Sequence, residues 1–138
     1  MSTENESRAR EGYEALMRGE IEALEQLLAP DLTWHWWEHG PWDCHGREEA
    51  IAVIEERLGQ RAIGELVEVS EVAPGRVLVV TRMPGPDSEI GPEDLGLPPG
   101  HLETANLVTF RDGRVTAMHD YRTRDEAMRA LARGRHGG

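Results

Sequence analysis

The apolar residues of this chain change their period along its length, and that change restricts the fold more than any other feature. In the first 60 positions they recur at helical spacing. Ala9, Tyr13, Leu16 and Met17 form one stripe, Ile21, Leu24, Leu27 and Leu28 a second, and Ala50, Ile51, Ile54 and Leu58 a third. Beyond Gly64 they alternate or run unbroken, as strands require. Leu66 to Val72 alternates apolar with polar, and Val77 to Val80 is continuously apolar, as in a central strand. His101 to Arg111 and Arg114 to Arg122 flank Asp112-Gly113, a strong signal for a hairpin. One aromatic run, Asp31 to Trp37, interrupts the helical half and reads as a strand.

Local signals mark the boundaries. Thr3 and Glu6 have the spacing of a capping box, and Thr123 and Glu126 repeat it before a short last helix. Gly19 divides the first helical region in two, and Pro30 is expected to end the second part. Gly40-Pro41 and Pro74-Gly75 read as turns. The last helix is expected to reach about Ala132, with Gly134 as its cap and residues 133–138 as a flexible tail. Residues 84–100 hold five of the eight prolines, and a loop of that length is expected to act as a lid or binding loop. The order is helix, helix, strand, helix, four strands, helix. It predicts one α+β domain over residues 1–138, with a curved antiparallel sheet wrapped around the N-terminal helices as a cone.

The formal charge of −11 argues against a nucleic-acid partner, which must be met with basic residues. All fifteen basic residues are arginines, and five near the C-terminus read as a solvated helix face near the acidic first helix. No apolar run approaches the length of a membrane span, and the acidic N-terminus is unlike a secretory signal. The single cysteine excludes an internal disulfide framework and fits a cytoplasmic protein.

Residues 34–46 hold all four tryptophans, three of the six histidines and Cys44, and are expected to build a pocket wall. On a strand, Trp34 and Trp36 point one way, and His35 and Trp37 the other. Trp34 and Trp36, with Met118, are the expected apolar wall, and Tyr13 is placed to reach it from the first helix. His35, His101 and His119 are candidate pocket histidines. His35, His39, Cys44 and His45 are metal-ligand types, but their spacing matches no zinc module, so no metal is expected. No phosphate loop, nucleophile elbow or dinucleotide fingerprint is present, and no cofactor is expected.

Three strings carry a resemblance: Leu28-Ala29-Pro30-Asp31-Leu32-Thr33-Trp34, Gly46-Arg47-Glu48-Glu49-Ala50, and Val108 to Val115 leading into His119-Asp120-Tyr121. With the element order, they resemble the SnoaL-like branch of the nuclear transport factor 2-like superfamily. The resemblance implies a cone-shaped pocket for a small, largely apolar molecule and a homodimer packed through the sheet. Asp120 matches the catalytic aspartate of limonene-epoxide-hydrolase-like members and the acid/base aspartate of polyketide cyclases. The tyrosine and asparagine of the epoxide hydrolases fall at Trp34 and Trp36, and the base of ketosteroid isomerase falls near Trp36. The resemblance therefore makes Asp120 the candidate acid/base, with His35 or Arg82 as helper. Two readings stay open: cofactor-independent acid/base chemistry of isomerase, cyclase or hydrolase type, and a non-catalytic binding or dimerisation module.

Overall fold

The structure is a computed structural model and describes residues 3–36, 43–82, 88–95, 97 and 103–137. Helix α1 (Glu4–Arg18) opens with the expected capping box between Thr3 and Glu6. It closes on Gly19 at φ 73°, a left-handed position that glycine adopts without a Cβ clash. Helix α2 (Ile21–Leu27) runs directly into strand β1 (Leu28–His35). Pro30 therefore lies inside β1 and does not end the helix, which corrects the expectation above. The ladder between β1 and β6 (Arg114–Tyr121) shifts register between Leu28 and Thr33. A residue without an N–H is tolerated at such an irregularity.

A two-residue strand, β2 (Cys44–His45), pairs with Thr33 and Trp34 and was not anticipated. Helix α3 (Arg47–Gly59) buries Ala50, Ile51 and Ile54, the expected face. Strands β3 (Glu65–Ala73), β4 (Arg76–Arg82), β5 (Glu103–Arg111) and β6 follow. The β5–β6 turn at Asp112 (φ 53°) and Gly113 (φ 81°) has positive φ at both positions, the twist a two-residue hairpin needs.

The sheet order is β2-β1-β6-β5-β4-β3. All neighbours are antiparallel except β1 and β6, which run parallel, so the α+β fold is as expected but the sheet is mixed. One face packs on the three N-terminal helices through Leu24, Leu32, Ile54, Val77, Phe110 and Val115. The other is covered by α4 (Arg124–Gly137), which buries Ala127 and Leu131 against Leu78, Val80, Ala105 and Leu107.

Thr123 accepts from the Glu126 N–H at 3.1 Å, and the Glu126 carboxylate accepts from the Arg122 N–H. Helix α4 continues past Gly134, because an internal glycine costs a helix only about 1 kcal/mol. Arg124, Arg129 and Arg133 are exposed, as expected of a solvated face, but Arg124 pairs with β3 rather than with α1. Its guanidinium donates two hydrogen bonds to Glu68 of β3, at 2.9 and 3.2 Å, and this holds the Glu68 carboxyl below its ordinary pKa. No helix among the described residues is long and apolar enough to cross a membrane.

Candidate active site

Strand alternation brings the site together. Trp34 of β1 lies beside Met118 of β6, and Asn106 of β5 lies opposite Asp120. All four side chains face the inside of the cone, where they line a cavity of about 210 Å³. Most of the wall is apolar, from Leu16, Leu24, Leu27, Val53, Phe110 and Val115 among others. The polar groups gather where β4 ends and β5 begins: Thr81, Thr104, Asn106 and Asp120. The Thr81 and Thr104 hydroxyls satisfy each other at 3.3 Å.

Asp120 is the chemical centre. Trp34 Nε1–H donates to its Oδ2 at 2.6 Å, and Asn106 Nδ2–H donates to its Oδ1 at 2.6 Å. Enclosure in this apolar setting disfavours the charged carboxylate and outweighs the two hydrogen bonds, which favour it. The result is a pKa pushed up to about 6. A carboxyl in that range exchanges its proton near neutral pH, as a general acid or base must. Asn106 Oδ1 is buried and has no hydrogen-bond partner among the described residues. A half-turn of the Asn106 amide would present that oxygen to a protonated Asp120, so the pair can accommodate both protonation states.

Two further groups border the cavity. The Tyr13 hydroxyl donates to the Gly64 carbonyl, and burial, with Glu65 nearby, raises its pKa. Tyr13 thereby ties α1 to the start of β3 and presents its ring to the cavity. Arg57, in the last turn of α3, carries its guanidinium carbon 5.6 Å from the centre of the Trp36 ring and donates to Gln60 Oε1 at 2.9 Å.

Of the residues expected at the site, Tyr13, Trp34, Trp36, Met118 and Asp120 meet in this one cavity. His35 does not. Alternation turns it to the opposite face of the sheet, where Nδ1 contacts Asp43 Oδ2 at 3.0 Å and its ring lies 5.7 Å from that of His119. His119 in turn stacks on Tyr121 at 4.4 Å. Arg82 pairs with Glu103 at 3.8 Å at the exposed end of the β4–β5 ladder. Neither helper expected for Asp120 therefore contacts it, and the groups that do are Trp34 and Asn106. His101 lies outside the described residues, as do eight of the seventeen residues expected to form a lid. The described part of that loop reaches α3, where the Glu89 N–H donates to the Gln60 carbonyl at 2.8 Å. Cys44 is buried in the core, and burial raises its thiol pKa. Among the described residues no three His, Cys, Asp or Glu side chains are grouped to hold a metal ion.

Sequence reasoning missed Asn106 and Arg57. Counting back from Asp112-Gly113 pairs Asp120 with Ala105, because the ladder starts at Arg111↔Arg114. An irregularity between Thr109 and Phe110 shifts the register by one and puts Asn106 there instead. Arg57 had a signal: it stands seven residues after Ala50 and three after Ile54, on the buried face of α3.

The comparisons agree with this fold. Bal32a, from a soil-derived mobile gene cassette, is 23% identical, with 86% of this chain and 88% of that one covered, at a TM-score of 0.68. A nuclear transport factor 2-like protein of unknown function from Burkholderia pseudomallei is 22% identical, with 93% and 97% covered, at 0.64. A Sinorhizobium meliloti protein proposed to be a polyketide cyclase is 16% identical, with 83% and 94% covered, at 0.63. At such identities the likeness is one of fold. Among curated proteins nothing matches the chain. The model of the SnoaL-like domain matches residues 9–118, so the chain belongs to the SnoaL-like family of the nuclear transport factor 2-like superfamily.

Proposed function

We propose that this protein binds a small, largely apolar molecule in the cone and moves a proton on it with Asp120, in an isomerase, cyclase or hydrolase type of reaction. The observation that carries this reading is one ionisable carboxyl, with a pKa pushed up to about 6, lining an otherwise mostly apolar cavity. Each Asp120 oxygen receives one N–H and keeps a second lone pair for a substrate proton. In this scheme Trp34 and Asn106 position the carboxyl, and Trp36, Met118 and Tyr13 shape the apolar wall. The Sinorhizobium meliloti neighbour supports a cyclase-type reaction. The single cysteine suits a cytoplasmic setting.

A homodimer belongs to the same proposal. Helix α4 covers the middle of the outer sheet face, so the second copy would pack toward β1, where His35 and His119 lie. Light scattering checks it, with twice 15.4 kDa expected.

A non-catalytic binder is the second reading. It is favoured by Trp34, whose indole N–H already occupies one Asp120 oxygen. The two readings separate on Asp120→Asn assayed across a panel of epoxides, enones and lactones. Loss of turnover with ligand affinity retained is expected of the enzyme. Absence of any turnover by the wild-type protein across the panel, with binding intact, leaves the binder.

A further inference from the structure

We propose that the molecule taken by the cavity is amphipathic and anionic, an apolar body bearing one carboxylate, and that Arg57 binds the carboxylate. The inference rests on the cone being a ligand site and names the class of ligand.

Arg57 is the one cation that lines the cavity among the described residues. Its polar contact there is a neutral amide, Gln60 Oε1, and its other neighbour is the face of Trp36. Among the described residues no carboxylate lies within ion-pair distance of it. In a chain with 26 acidic residues and a net charge of −11, a cavity arginine left to an amide and an aromatic ring holds its charge for something else. The guanidinium fork suits a carboxylate, which it can hold through two parallel hydrogen bonds.

The cavity is also asymmetric in the way such a ligand requires. Around α2 its wall is Leu24, Leu27 and Leu28, with Phe110 and Val115 at the hairpin end of β5 and β6. At the other end of the same strands stand Thr81, Thr104, Asn106 and Asp120, and the chain leaving α3 enters β3 beside them. An apolar body fits the first end, and a polar head fits the second, where Asp120 and Arg57 border the cavity.

The test compares naphthalene-2-acetate with naphthalene-2-acetamide, which match in shape and differ in charge. Each is titrated calorimetrically into the full-length protein at pH 7 and low salt. In the wild type the acetate is expected to bind about tenfold more tightly than the amide, the margin of one charge-assisted contact. Arg57→Gln is expected to remove that margin by weakening the acetate more than the amide, and Arg57→Lys to retain part of it. Both replacements suit a partly exposed position in the last turn of a helix, and an unchanged unfolding midpoint verifies that they fold. Equal affinities in the wild type, or a preference that survives Arg57→Gln, overturn the assignment of Arg57 and leave the cavity reading standing. Failure of both probes to bind overturns the assignment together with the cavity reading.

Discussion

Asp120 makes its environment measurable. Its pKa in the folded protein is raised to about 6 from an ordinary value of 3.8. Its contribution to stability is therefore fully present below about pH 3.8 and lost as pH rises through about 6, because the unfolded chain ionises first. A shift of that size corresponds to about 3 kcal/mol. Urea unfolding of the wild type and of Asp120→Asn at pH 4 and pH 8 isolates the effect. The variant is expected to gain about 2–3 kcal/mol on the wild type between the two values, since it has no proton to lose there. A constant difference across that range would place the carboxyl in a solvated setting. Catalysis should follow the same group, with activity changing through an apparent pKa near 6 wherever turnover is found. The face of Asp120 could be read from alternation with Met118, and the shared face of Trp34 and Trp36 from β1. The bond from Trp34 to Asp120 could not, because it depends on how two strands 86 residues apart are registered.

At the scale of elements, the β5–β6 hairpin and α4 carry most of the organisation. The hairpin was legible because Asp112-Gly113 has the chemistry of its turn. Helix α1 was legible because its capping box and apolar stripe agree, and α3 because of its apolar stripe. What escaped was fixed by contacts between elements. Strand β2 is two residues long and exists only by pairing with β1. The end of α2 is set by the start of β1 and not by Pro30. The partner of Arg124 is chosen by where α4 crosses the sheet. Leu131→Ala should cost about 2–4 kcal/mol in urea unfolding, since it opens a gap between α4 and the sheet while the opposite face stays packed. Arg124→Ala should cost less than about 1 kcal/mol, because that ion pair is half-exposed.

At the scale of the whole molecule, a net charge of −11 surrounds two apolar layers, one on each face of the sheet. Raising sodium chloride from about 0.02 M to about 0.5 M should lift the unfolding temperature by a few degrees, as screening relieves self-repulsion. A midpoint insensitive to salt would show that the arginines already neutralise the surface locally. The parallel pairing of β1 with β6 has a consequence in time. During synthesis Trp34 leaves the ribosome long before Asp120, and the strand that β1 pairs with in parallel is the last one made. The helices can pack on one another, on β1 and on β3 beforehand, but β1 gains its parallel partner only when nearly the whole chain has emerged. The cavity therefore receives its carboxyl, Asp120, with the last of its strands.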